Sequence, residues 1–138
     1  MISLAKIIDA AFWWRRRSSS KLTDFFSLAS IRAYLVINFF LNVLIWLGAT
    51  YIYHNLYQNL TVLHYNVDFG IDLIGDRNQV FTIPALGLLL FILNLLLLFF
   101  FIRSRHFKFI AHLLLGVLVV TQIFLLLSLQ AVYLINFR

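Results

Sequence analysis

Three uninterrupted apolar runs, each about as long as a bilayer's hydrocarbon layer is thick, constrain this chain more than any other feature. They are AYLVINFFLNVLIWLGATYIY (33–53), FTIPALGLLLFILNLLLLFFFI (81–102) and FIAHLLLGVLVVTQIFLLLSLQAVYLI (109–135). Crossing a hydrocarbon layer of roughly 30 Å takes about 20 helical residues, so each run is long enough to span. Backbone groups in lipid must bond within their own segment, which makes all three helices. The third run is longer than needed and either tilts or extends past the lipid. The sequence therefore predicts an all-α membrane protein of three transmembrane helices. Composition agrees: 63% of the 138 residues are hydrophobic and 12% charged, with a mean hydropathy of +0.95, far from the mix of a soluble domain.

The boundaries carry their own signals. Thr82 is the expected N-cap of the second span, and Pro84 falls in its first turn, where a missing N–H is tolerated. Lys6, Arg15, Arg16, Arg17, Lys21 and Arg32 precede the first span, and Arg103, Arg105 and Lys108 fill the short turn 103–108. Loops rich in Lys and Arg stay in the cytoplasm, which predicts a cytoplasmic N-terminus, an outer loop at 54–80 and a C-terminus outside. The outer loop holds three of the five Asp and the single cation Arg77. Because the basic residues flank apolar runs, anionic lipid head groups account for the net charge of +6, and nucleic acid is not an expected partner.

Residues 1–30 form a separate segment ahead of the three-span domain 31–138. Leu4, Ile7, Ile8, Ala11 and Phe12 recur at helical spacing, with Lys6 and Asp9 off that stripe. A secretory signal is the rival reading, but the apolar part is short, Asp9 interrupts it, and a cationic triplet stands where a cleavage site belongs. The expectation is an amphipathic interfacial helix, with Trp13 and Trp14 at head-group depth and Arg15, Arg16 and Arg17 on anionic lipid. Ser18 to Ser20 read as a break after it.

One stretch of the outer loop behaves unlike the rest. In LHYNVDFGIDL (63–73) every odd position is apolar and every even one polar or glycine. That period of two predicts an extended ribbon with one face buried against the membrane or the helix ends and the other wet. YHNLYQNLTV (53–62) is the nearby candidate to pair with it. The ribbon's wet residues His64, Asn66, Asp68 and Asp72 are the candidates for contact with a partner or ligand. The same four, with His54 or Asp76 folded in, are the conceivable metal ligands. Their spacing matches no established ligand signature, so ordinary wet positions are the expectation and no metal or other cofactor is assigned. DLIGDRN (72–78) reads as a turn in which Gly75 supplies the difficult dihedral. Asn59-Leu60-Thr61 is a glycosylation triplet of a kind common by chance.

Polar residues inside the spans are few: Asn38, Asn42, Asn94 and Gln122 stand out, with His112, Thr121, Ser128 and Gln130 also on the third span. His112 is the sole ionisable one, and neutral amides in spans serve best as contacts between helices, each worth about 1 kcal/mol. Gly87 and Gly116 are expected to mark close helix approaches. Without a carboxylate in any span, a proton or cation relay is disfavoured. With no Cys, no Glu and no nucleophile beside a base, no catalytic site is expected.

The segment LHYNVDFGIDLIGDRNQVFTIPALGLLL resembles small, uncharacterised three-span membrane proteins of bacteria, in which a His-Tyr-Asn, Phe-Gly-Ile-Asp pattern in the outer loop runs into a proline-started helix. It is more distantly similar to the domain of unknown function of peptide-toxin immunity membrane proteins. The matching positions are His64, Asn66, Gly70, Asp72 and Pro84, within a segment that covers about a fifth of the chain, and Leu63 stands where the latter pattern has proline. The resemblance implies a bacterial envelope protein without a known reaction. Together these readings point to a non-enzymatic protein of the bacterial inner membrane that acts by contact, as an accessory or structural subunit or as a homo-oligomer. The alternatives are a receptor or immunity-type protein binding a peptide, toxin or metal through the outer loop, and a small oligomeric channel lined by Asn38, Asn42, Asn94 and Gln122.

Overall fold

A computed structural model of the chain describes residues 28–57, 59–68 and 70–137. The interfacial segment expected at residues 1–30, with Trp13, Trp14 and Arg15 to Arg17, lies almost entirely outside them. Three helices follow one another: α1 (Ala29–Asn55), α2 (Thr82–Phe101) and α3 (Phe107–Asn136). All three are long and apolar enough to cross a membrane, and their bounds match the three apolar runs to within four residues at each end. This is a membrane protein by the length and composition of its helices. Between α1 and α2 come two strands, β1 (Leu60–Asn66) and β2 (Gly70–Asp76), and a 3-10 turn, Arg77–Phe81.

Two apolar clusters hold the helices together, one at each end. Near the 103–108 turn, Ile31, Leu98, Ala111 and Leu115 bring one residue from α1, one from α2 and two from α3 into a buried group. At the other end, Ile45, Ala49 and Ile52 of α1 meet Leu129 and Val132 of α3, and the third place is taken by Val80 of the 3-10 turn. The substitution of a 3-10 turn for a third helix follows from where α2 begins. Asn42 reaches the Pro84 carbonyl, so α2 starts level with the middle of α1, and α1 runs on for ~20 Å beyond it. The 3-10 turn and the hairpin fill the space above α2.

The start of α2 departs from the expected cap. Thr82 caps nothing: its hydroxyl donates back to the Gln79 carbonyl at 2.7 Å, stapling the 3-10 turn to the helix, and Phe81 occupies the N-cap position without a side-chain bond. Pro84 sits buried in the first turn as anticipated. Gly116 has open space where a side chain would go, so among the described residues no helix makes the close approach expected there. Gly48 makes one instead, with Leu129 Cδ2 2.8 Å from where its Cβ would stand.

The ribbon is not one strand but two. The chain reverses between Asn66 and Gly70, and β1 and β2 pair antiparallel from Leu60 opposite Asp76 to Asn66 opposite Gly70. Gly70 has φ +79°, the left-handed conformation that a short hairpin turn demands of the residue closing it. Asn66 Oδ1 accepts the Asp68 N–H at 2.9 Å and supports the reversal. The register slips at His64, leaving Leu63 and Asp72 without a direct partner, an irregularity that twists the ribbon locally.

Gly75 lies in β2 opposite Thr61, not in a turn. It is glycine because the Gln79 side chain crosses its face: an added Cβ would collide with the Gln79 amide and lie 2.8 Å from Leu63 Cδ1. We expect Gly75→Ala to lower stability by about 1–3 kcal/mol. Gln79→Ala should recover part of that loss in the double variant, read from thermal unfolding in detergent.

Candidate functional site

The hairpin is fastened to α3 by one side chain. Asn136, in the last turn of the helix, offers the backbone of β1 the same pair of groups that a neighbouring strand would offer. Its Oδ1 accepts the Val62 N–H at 2.9 Å, and its Nδ2 donates to the Val62 carbonyl at 2.8 Å. Nδ2 also donates to the Val132 carbonyl at 2.8 Å, which locks the amide onto its own helix. Thus β1 is sealed at Val62, and β2 lies on the side away from the helices. The 3-10 turn adds a second anchor, with the Arg77 guanidinium 4.6 Å from the centre of the Tyr53 ring. The Arg77 N–H donates to the Asn59 carbonyl at 3.0 Å. A cation over an aromatic face is worth about 0.5–2 kcal/mol. Tyr53 packs on Phe81, which stacks on Trp46.

Of the four ribbon residues singled out from the sequence, the fold joins two. His64 Nδ1 and Asp72 Oδ1 are 2.7 Å apart across the strands, both exposed, so the pair contributes little to stability. Asn66 supports the turn, and Asp68 stands on it. The turn falls in the middle of the pattern, yet because Tyr65 opposes Ile71 and Asn66 opposes Gly70, His64, Asn66 and Asp72 stay on one side of the folded ribbon, with Asp68 on the turn itself. Among the described residues no three His, Asp or other ligating side chains gather as a metal site would require. Within the chain Tyr65, Ile71, Leu73 and Ile74 stay exposed, and Val67 at the turn is 88% exposed, so the helix ends leave most of the apolar face uncovered.

The amides of the spans form a second polar group, deep between the helices. Gln122 Nε2 donates to the Gly87 carbonyl at 3.0 Å, and Asn42 Nδ2 lies 3.4 Å from the Pro84 carbonyl and 3.5 Å from Gln122 Oε1. One turn away, Asn38 Nδ2 donates to the Tyr34 carbonyl and reaches the Leu115 carbonyl of α3 at 3.3 Å. Asn38, Asn42 and Gln122 are all buried, and together they bind α1, α2 and α3. Gly87 permits this: a Cβ there would lie 2.7 Å from Asn42 Nδ2 and 2.9 Å from Gln122 Oε1. Asn94 does otherwise. Its amide donates to Leu90 of its own helix at 2.9 Å, and among the described residues it bonds to no other helix.

His112 ties the opposite end. Its Nδ1 is 2.7 Å from the Lys108 carbonyl, which can only accept, so that nitrogen carries a proton. Its Nε2 meets the Ser30 hydroxyl of α1 at 3.0 Å. Sequence reasoning passed over Asn136 and read Arg77 only as the single cation of its loop. The available signal for Asn136 was a lone amide at the end of an apolar helix, level with a loop whose strands needed a neighbour. Comparison of the chain with protein-family models, with curated proteins and with solved structures gives no match.

Proposed function

We propose that this is a non-enzymatic integral membrane protein that acts by contact, as an accessory or structural subunit of a larger envelope complex or as a homo-oligomer. The observation that carries the reading is the hairpin: fastened to α3 and to the 3-10 turn, yet exposing Ile71, Leu73 and Ile74 on a strand that no helix covers. Exposed apolar side chains gathered on a held element mark interaction surfaces. The proposed setting is the bacterial inner membrane, including anionic lipid, with the N-terminus and the 103–108 turn cytoplasmic and the hairpin and C-terminus outside.

The experiment is native mass spectrometry of the protein released from its own membrane in mild detergent. A fixed companion or a defined oligomer is the expected result, and a lone monomer overturns the reading. The orientation has its own check, because the chain contains no Cys. A cysteine introduced at Asp68 should react with an impermeant maleimide in intact cells, and one at Arg105 only after lysis.

The receptor or immunity-type reading is favoured by the same hairpin and differs in that the contact is with a soluble peptide or toxin. The channel reading has less behind it, because Asn38, Asn42 and Gln122 spend their amides on one another's helices within one copy.

A further inference from the structure

The two edges of the hairpin are unlike each other, and the difference names a partner chemistry. In an antiparallel ladder, directly opposed residues turn their N–H and C=O either both toward each other or both away. Val62 turns its pair away, onto Asn136. Ile74, directly opposite Val62, therefore presents its N–H and C=O on the outer edge of β2. The sheet has two strands only, so among the described residues no strand meets that edge. The same geometry that Asn136 satisfies on one side recurs, without a partner strand, on the other. Unpaired edges of this kind take up an extended segment.

Charge and side chains decide which segment. Asp76 and Asp72, the latter with its Oδ1 on His64 Nδ1 at 2.7 Å, lie on β2, and Asp68 on the turn leading into it. The loop's one guanidinium, Arg77, is held over Tyr53. A second copy of β2 would lay the same carboxylates alongside these, which is unfavourable between neighbouring strands. An extended segment carrying Lys or Arg between apolar residues meets both the carboxylates and the exposed Ile71, Leu73 and Ile74. Resting on the reading that the protein works by contact, we infer that the outer edge of β2 receives, by strand addition at Ile74, an extended basic segment of another protein.

The test uses the full chain in zwitterionic nanodiscs, with empty nanodiscs as the blank. The probes are short fluorescent peptides alternating valine with lysine, with serine or with glutamate. The lysine peptide should bind, more weakly as salt is raised. N-methylation of alternate peptide amides should abolish that binding, and the double variant Asp72→Asn, Asp76→Asn should weaken it about tenfold, equivalent to ~1.4 kcal/mol. The serine peptide should be nearly indifferent to that variant. Amide exchange at β1 reports whether the hairpin survives the substitutions. Equal binding of all three peptides, or insensitivity to N-methylation, overturns the inference. So does a chain that forms disulfide-linked dimers through Ile74→Cys, since the edge is then filled by a second copy. A protein that binds none of the peptides but still leaves the membrane with a fixed companion loses this inference alone. A lone monomer loses the contact reading itself.

Discussion

Replacing Asn136 with alanine should release the hairpin from the helices while leaving the three helices in place. The substitution removes both bonds to Val62, at 2.8 and 2.9 Å, and leaves a half-buried strand backbone facing an apolar methyl. Each bond contributes about 1 kcal/mol net, and an orphaned buried group costs about 1–3 kcal/mol, so a total near 2–3 kcal/mol is expected. That is a large share of the stability of a two-stranded hairpin, which is marginal on its own. Amide exchange at β1 and β2 should accelerate by about 30- to 100-fold, following tenfold per 1.4 kcal/mol. Exchange in the middle of α1 and α3 should not change. Asn136→Asp is the informative companion: it keeps an acceptor for the Val62 N–H but sets a carboxylate oxygen against the Val62 carbonyl. It should therefore behave nearly as badly as alanine. Unchanged exchange at Val62 in both variants would mean that the amide is not what holds the strand.

The second large effect is expected at Gly87. Helix propensity favours alanine over glycine by about 1 kcal/mol, so an unconstrained site would gain from Gly87→Ala. Here the new methyl enters at 2.7 Å from Asn42 Nδ2 and 2.9 Å from Gln122 Oε1. Both amides must withdraw, and the bonds to the Pro84 and Gly87 carbonyls weaken or break. Overpacking costs about 1–3 kcal/mol, and each interhelical amide bond in a membrane about 0.6–1 kcal/mol. The losses outweigh the gain, and Gly87→Ala should destabilise by about 1–3 kcal/mol, with Gly87→Val worse. Adding Asn42→Ala clears space for the methyl, so the double variant should lose less than the sum of the single ones. Unfolding midpoints in detergent measure all four proteins. Strict additivity would show that Gly87 and Asn42 do not meet.

The helices were legible from the sequence because run length alone decides them: a stretch as long as the hydrocarbon layer has one backbone solution. Asn38 and Asn42, one turn apart, were legible as contacts between helices for the same reason, since an apolar stripe rarely carries amides without partners. The hairpin was not legible, and the cause is arithmetical. Strand residues 60–66 and 70–76 are separated by three residues, an odd number, so the alternation of apolar and polar runs through the reversal without changing phase. Period two shows extended backbone and is silent about direction. The clue that distinguishes a folded ribbon from a straight one is Gly70, whose φ of +79° closes the turn. The pairing of 53–62 with 63–73 expected from the sequence sets the reversal several residues too early, ahead of Leu63, whereas the chain turns between Asn66 and Gly70. The docking of the ribbon was hidden more deeply, because it rests on Asn136, more than 70 positions distant from Val62.

The length of α3 bears on where contact can take place. Its 30 residues make a rod of ~45 Å, against roughly 30 Å of hydrocarbon to cross. The surplus ends in the amide that grips β1, so a stiff post rather than a slack tether sets the elevation of the ribbon. A thicker or thinner bilayer would tilt that post and carry the ribbon with it, making the reach of the protein a property of its helix and its host lipid together.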